Sequence, residues 1–244
     1  MTAYFLSDIH LSTIEEPNTH RLLSFLRSIR GPQDATHLFL LGDIFDLWVA
    51  GHYYFVQKYS TVIEELRRLQ AAGVEIHYFE GNHDLYLEHF FGHELGLKIH
   101  SAAEYFQLGR FRVRLEHGDQ MDPFDRGYIF LRKLLRTRFM QWLAPRLPSG
   151  FVVWLGERMS HSSRKYTSAV KTISTDRAVQ VIHMHAMRAF VEQPFDFLIC
   201  GHVHVKEDYA LPDSDNARVI NLGSWFDGAY TLKLTDGGPE WVGL

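Results

Sequence analysis

The stretch His37-Leu38-Phe39-Leu40-Leu41-Gly42-Asp43 decides how the chain reads. An apolar run cut by glycine and aspartate is the pattern of a buried strand ending in a turn. Upstream, Ala3-Tyr4-Phe5-Leu6-Ser7 has the same form. Between the two, residues 21–29 place Leu22, Phe25, Leu26 and Ile29 on one helical face and stop at Gly31-Pro32. Downstream, residues 55–72 predict a second helix ended by Gly73, and residues 74–79 a third strand reaching Gly81-Asn82. This βαβαβ order predicts an α/β domain that starts with parallel strands.

The rhythm changes after Gly96. Residues 98–99, 104–108 and 111–116 read as short strands, the last two joined by a tight hairpin at Gly109-Arg110. Residues 126–193 read as helical, and strands return at 196–200, 203–211, 218–222, 229–234 and 240–242. We therefore expect one domain over 1–244, with 123–195 as a helical insertion. With 46% hydrophobic and 22% charged residues in 244, the chain is neither disordered nor a coiled-coil rod. A net charge of -4 argues against coating nucleic acid by bulk charge. The single cysteine, Cys200, excludes a disulfide framework and a thiolate metal cage, and its apolar strand suggests a buried small hydrophobe. No apolar run reaches the roughly 18 residues of a membrane span, and the start MTAYFLSDIHL carries Asp8 where a secretory signal would be apolar. A cytoplasmic location is expected.

Five segments share one feature: a strand-like run ends in a turn bearing carboxylate, amide or imidazole groups. They are Asp8-Ile9-His10, Gly42-Asp43, Gly81-Asn82-His83-Asp84, His117-Gly118-Asp119 and Gly201-His202-Val203-His204. Singly, each is more often an ordinary turn; together, in this order and each after an apolar run, they point to a common site. Oxygen and imidazole donors without thiolate suit divalent Mn, Fe or Zn. Seven such donors exceed the need of one ion and suffice for two that share a carboxylate. Asp46 and Asp84 lie beside them, as acceptors that orient the donors or as plain turn carboxylates. His183 and His185, two apart on a helix, lie on different faces and do not suggest a shared metal.

The order D-x-H, G-D-x-x-D, G-N-H-D, H-G-D and G-H-x-H resembles the signature of the calcineurin-like metallophosphoesterases. The resemblance implies a sandwich of two mixed sheets flanked by helices. It further implies Asp8, His10 and His204 as ligands of one metal, Asn82, His117 and His202 of the other, and Asp43 as the bridge. His83 would contact the scissile phosphate and protonate the leaving oxygen, with Asn82 beside it. Two such ions polarise phosphoryl oxygens and lower the pKa of a water between them.

A closer resemblance, in Asp-Ile-His-Leu at 8–11, Gly-Asp-Ile-Phe-Asp-Leu-Trp at 42–48 and His-Gly-Asp followed by Asp125 and Tyr128, is to the UDP-2,3-diacylglucosamine hydrolases. Those peripheral inner-membrane enzymes of lipid A biosynthesis split a pyrophosphate to UMP and 2,3-diacylglucosamine 1-phosphate under a helical lid. The resemblance implies Asp125, Tyr128 and Ser163 as substrate contacts, and a lipid-linked anionic substrate rather than nucleic acid. Two positions depart from it: His83 and Ser160 stand where those hydrolases favour arginine. A guanidinium clamps pyrophosphate with two hydrogen bonds, which neither replacement does. The alternative is a phosphoesterase for a soluble nucleotide or a simple mono- or diester. A non-catalytic scaffold like the retromer subunit of this fold would lack ligands or the phosphate-contacting histidine, and this chain keeps them. Between 126 and 156 the insertion carries Arg126, Arg132, Lys133, Arg136, Arg138 and Arg146 and no acidic residue, interleaved with Ile129, Phe130, Leu134, Phe139, Trp142 and Leu143. Such a basic amphipathic stretch suits an anionic, partly apolar substrate or an anionic membrane surface, or is a solvated helix face. Residues 158–171, rich in serine and threonine with Arg164 and Lys165, could line a phosphate or sugar.

Overall fold

The computed structural model describes residues 1–156, 158, 175–212, 214 and 216–244. Ser160 and Ser163, with Arg164 and Lys165, lie outside them.

Strands β1 (Thr2–Leu6), β2 (His37–Leu40), β4 (Glu75–Phe79) and β6 (Lys98–His100) run parallel in one sheet. Antiparallel β12 (Tyr230–Thr235) and β13 (Gly238–Gly243) complete it, in the order β13-β12-β1-β2-β4-β6. The second sheet runs β10-β11-β9-β8-β7, from β7 (Glu104–Leu108), β8 (Phe111–Leu115), β9 (Phe197–Cys200), β10 (Lys206–Ala210) and β11 (Arg218–Leu222). Its centre, β8, β9 and β11, is parallel and its edges are antiparallel. The Gly109-Arg110 turn joins β7 to β8 with Leu108 opposite Phe111, as the sequence suggests.

Alternation along the strands builds the layers. Ala3, Phe5, Phe39, Leu41 and Phe79 face Val113, Leu115, Phe197, Ile199, Ile220 and Leu222 across the sandwich. Leu6, Leu38, Leu40, Ile76 and Tyr78 face the other way, onto α1 (Pro17–Ser28) and α3 (Ser60–Ala71). On the far side, Leu198, Cys200 and Val219 pack against Ile182, Ala186 and Ala189 of the helix Thr175–Glu192. Strands covered on both faces explain the near-continuous apolar runs. Cys200 is a buried core residue, as expected.

Two differences from the sequence reading have local causes. The expected helix over 55–72 is two, α2 (Tyr53–Lys58) and α3, because Tyr59 between them is drawn into the core. Its ring packs on Phe45 and its hydroxyl donates to the Leu11 carbonyl at 2.9 Å. A two-residue parallel pair, β3 (Trp48–Val49) and β5 (Asp84–Leu85), was too short to show periodicity. It ties the segment after Asp43 to the turn that carries Asn82 and His83.

Phe39 stacks on Phe5 in the middle of the sandwich, with centroids 5.0 Å apart. Phe39→Ala should cost about 3–5 kcal/mol in a denaturant titration, through lost transfer energy and a cavity. A loss below about 1 kcal/mol would contradict this packing.

Candidate metal centre

Five turns carry the candidate ligands, each at the C-terminal end of a parallel strand: β1, β2, β4, β8 and β9. Parallel strands aim their carboxyl ends at one edge, where α/β folds gather ligands. The sheets are stitched there. His117 Nδ1 bonds the Leu41 carbonyl at 2.8 Å, and the backbone N–H of His202 donates to Asp8 Oδ2 at 2.9 Å. Asp8, His10, Asp43, His202 and His204 all have left-handed backbone, with φ between 50° and 69°. Such conformations are sparsely populated for non-glycine residues, and they tip successive side chains into the crevice. Close approach also requires two glycines: a Cβ on Gly81 would overlap the Asp43 carboxylate, and one on Gly201 that of Asp8.

The donor atoms converge. Ligand atoms of Asp8, His10 and His204 lie within 4.8 Å of one another, as do those of Asp43, His117 and His202. His10 Nε2 and His204 Nε2 are 3.2 Å apart, and Asp8 Oδ1 is 3.2 Å from the latter. On the other side, the Asn82 amide oxygen sits 2.9 Å from His202 Nδ1 and 3.2 Å from His117 Nε2. Asp43 divides its oxygens. Oδ1 accepts from the His83 N–H at 2.9 Å, while Oδ2 faces His10 Nε2 at 3.8 Å and His117 Nε2 at 3.6 Å. One carboxylate oxygen therefore looks into both clusters.

A pair of divalent cations fits these donors. Asp8 Oδ1 is buried and, among the described residues, faces only ring nitrogens, His204 Nε2 at 3.2 Å and His10 Nε2 at 3.9 Å, without a well-aligned donor, an arrangement costly without a further partner. Burial holds His10 at about 4, and burial with the nearby His117 charge holds His202 at about 4, so both rings offer lone pairs at neutral pH. Burial opposes ionisation of Asp8 and Asp43, yet the surrounding histidines keep both below the usual carboxylate range, His204 foremost for Asp8 and His117 for Asp43. Burial likewise opposes a charge on His117, but Asp43, Asp8, Asp119 and Asp84 push it up to about 9. Negative charge is in excess here, and a proton on His117 only partly offsets it. The Nδ1 bond to Leu41 fixes that ring so that Nε2 points at Asp43.

Asp84 is a scaffold for the centre. Its Oδ1 accepts from the Asp43 N–H at 3.0 Å and the Gly81 N–H at 2.8 Å, its Oδ2 from the Ile44 N–H at 2.9 Å and the Tyr78 hydroxyl at 2.7 Å. The sequence left its role open between donor orientation and turn formation; it holds two ligand-bearing turns together. His83 is half-buried, its Nδ1 bonded to the Asp46 carbonyl at 2.8 Å, which leaves Nε2 for another partner. His10, Asp46 and His83 form a third close group at the rim.

The expected substrate contacts divide. Tyr128 is near: its ring is 6.1 Å from that of His202, and its hydroxyl donates to Asp119 Oδ2 at 2.6 Å. Asp125 is exposed and caps helix α4 (Arg126–Leu135) by accepting from the Tyr128 N–H at 2.9 Å. Ser163 lies outside the described residues. His183 and His185 join no candidate metal group among the described residues; they bond Glu207 at 3.3 Å and Glu116 at 2.6 Å. Sequence reasoning gave Asp119 no role, although it closes the His-Gly-Asp block. Its buried carboxylate takes the Arg132 Nε–H at 2.6 Å as well as Tyr128, and it is held at about 2, against burial, by His117, His202 and Arg132. Tyr128 and Arg132, four apart on a helix, were the available signal.

Asp84→Asn keeps the shape but turns one acceptor into a donor facing donors. Calorimetric titration with Mn²⁺ should show affinity down at least about tenfold. Unchanged affinity would mean that Asp84 does not set the geometry of the two turns.

Known proteins agree with this architecture. The model of the calcineurin-like phosphoesterase family matches residues 1–206. A UDP-2,3-diacylglucosamine hydrolase of Porphyromonas gingivalis is 30% identical, over 91% of this chain and 89% of its own. One of Chromohalobacter salexigens is 31% identical, over 98% and 95%. Among solved structures, an archaeal phosphodiesterase shares the fold at 13% identity, with a TM-score of 0.52 and full coverage of both chains. Ordered strand ends, a carboxylate oxygen that faces both donor groups and these relatives lead to one conclusion: the chain belongs to the calcineurin-like phosphoesterases, a family of hydrolases built around a pair of divalent metal ions.

Proposed function

We propose that the chain cleaves the pyrophosphate of UDP-2,3-diacylglucosamine, releasing UMP and 2,3-diacylglucosamine 1-phosphate. Asp8, His10 and His204 would hold one ion, Asn82, His117 and His202 the other, and Asp43, whose Oδ2 faces both groups, would contribute to each. Manganese is the proposed metal, with iron and zinc compatible with the same donors. When bound, the ions stabilise charge on the phosphoryl oxygens and acidify a water molecule. The residues supply the rest. His83 directs Nε2 at the scissile phosphate and donates a proton to the departing oxygen, while Asn82 fixes the turn that presents it. Tyr128 and Asp125, with Ser163, contact the sugar or phosphate.

A cavity of about 260 Å³ supports the lipid substrate over a soluble one. Asn82, His83 and Asp119 form its polar end. Leu47, Val49, Leu85 and Tyr86 wall it from the core side, and Leu131, Leu135, Met140, Val152 and Leu155 close it from above. An apolar chamber with His83 in its wall fits an acyl chain attached near the reacting phosphorus. Among the described residues of 123–195, the covering part is 126–156, because the helix Thr175–Glu192 packs on the second sheet. Arg132 pairs with Asp119 at 2.6 Å and Arg136 with Glu80 at 2.5 Å, and the Tyr86 hydroxyl donates to the Leu135 carbonyl at 2.5 Å. These contacts hold the cover over the cavity. Mn²⁺-loaded protein should turn over UDP-2,3-diacylglucosamine faster than other nucleotide diphosphate sugars, cyclic nucleotides or simple monoesters. His83→Ala should lower kcat at least about a hundredfold. A preference for a soluble ester would overturn the lipid reading.

No helix among the described residues is long and apolar enough to cross a membrane. We place the protein on the cytoplasmic face of the inner membrane, held by the outer side of the cover. Phe130, Phe139, Trp142 and Trp154 are each more than half exposed there. Arg126, Lys133, Arg138 and Arg146 are exposed too, whereas Arg132 and Arg136 turn inward. Aromatic and basic groups together suit the interface of an anionic bilayer. The protein should co-sediment with phosphatidylglycerol vesicles and much less with phosphatidylcholine. Phe130→Asp with Trp142→Asp should abolish that binding, and equal binding by both proteins would exclude this surface.

A further inference from the structure

Phe226 is a large apolar residue left 60% exposed at the rim of the metal centre. It lies in the turn after β11, and that turn is fixed from both sides. Trp225 points inward, 4% exposed, with Nε1 donating to the Tyr230 carbonyl at 3.0 Å. The Trp225 N–H and the Ser224 hydroxyl both reach the Asp8 carbonyl, at 3.2 and 3.4 Å. The Asn18 amide donates to the Trp225 carbonyl at 3.4 Å, and the Phe226 N–H to Ser224 Oγ at 3.3 Å. With Trp225 as the anchor, the next side chain in the turn is presented outward. Its ring lies nearly parallel to the His10 imidazole, 13° between planes and 5.6 Å between centroids, and is 6.4 Å from His204.

We infer that Phe226 is the platform on which the base of a nucleotide substrate stacks, so that it sets preference for a nucleotide over a bare sugar phosphate. One face of the ring lies against His10, and the residue is otherwise largely exposed. Every nucleobase presents a flat π face that an aromatic side chain can receive. The two sides of the centre differ in the way an asymmetric pyrophosphate requires. Asn82 and His83 line the apolar cavity, whereas Phe226 is not among its lining residues and stands instead over His10, whose ring is 4.8 Å from that of His83, with His204 nearby. An acylated arm and a nucleoside arm leaving the same phosphates would part in these two directions. This assignment rests on the nucleotide pyrophosphate reading and adds to it the group that receives the base.

The test compares UMP with ribose 5-phosphate, which share the phosphate and ribose and differ in the base. Calorimetry on the Mn²⁺-loaded, full-length protein should show UMP bound roughly tenfold or more tightly, the scale of one base–aromatic stack. Phe226→Leu, which keeps bulk over His10, should remove most of that advantage, and Phe226→Trp should keep it. Ribose 5-phosphate should bind all three within about twofold. Three results overturn the assignment: no preference in the wild type, equal weakening of both ligands by Phe226→Leu, or an undiminished UMP preference in Phe226→Leu. If the wild type fails to cleave UDP-2,3-diacylglucosamine but binds UMP through Phe226, the lipid reading falls and this one stands.

Discussion

Two carboxylates almost without access to water, Asp8 and Asp43, face a ring of imidazoles. Ionised groups are rarely buried unless something repays their lost hydration. Here the compensation from protein is partial: one Asp8 oxygen has no well-aligned donor, and two of the rings are held neutral. The surroundings are arranged around that deficit. Left-handed turns, glycines that admit neighbouring carboxylates and the Asp84 clamp are each unfavourable or fold-specific alone. Together they hold oxygen and nitrogen donors where paired cations complete the charge balance. Strain kept at a site and offset by the surrounding core is a common mark of function.

The sandwich explains how residues nearly 200 positions apart reach each other. Phe5, Phe39 and Phe79 lock three strands of one sheet onto Ile199 and Ile220 of the other. Their C-terminal ends then share an edge. The cover is built by different means, with little of it buried. Its inner side is tied by Arg132, Arg136 and Leu135 to groups beside the metal centre, and its outer side stays aromatic and basic. One amphipathic segment thus offers a face for each of the roles weighed for it from sequence: Tyr128, Leu131, Arg132 and Leu135, three or four residues apart, share the side of α4 that lines the cavity, while Phe130 and Lys133 lie on its exposed side.

Much of this was legible in the sequence, for identifiable reasons. Runs such as 37–41 sit in strands buried on both faces, and such strands announce themselves by continuous apolarity. The metal-type residues were legible because each follows such a run directly. What stayed hidden depends on three-dimensional neighbours. Tyr59 breaks a helix with no proline or glycine, since its hydroxyl is claimed by Leu11. Asp84 and Asp119 look like any turn carboxylates until their donors are seen. Phe226 has no periodic pattern at all, and its place over His10 follows from the anchoring of Trp225.

The central claim is that paired divalent ions occupy this crevice around a shared Asp43 oxygen. Anomalous scattering from crystals grown with manganese tests it most directly. The account predicts two peaks, one among Asp8, His10 and His204 and one among Asn82, His117 and His202, both touching Asp43 Oδ2. A single peak, or an empty crevice, would contradict it.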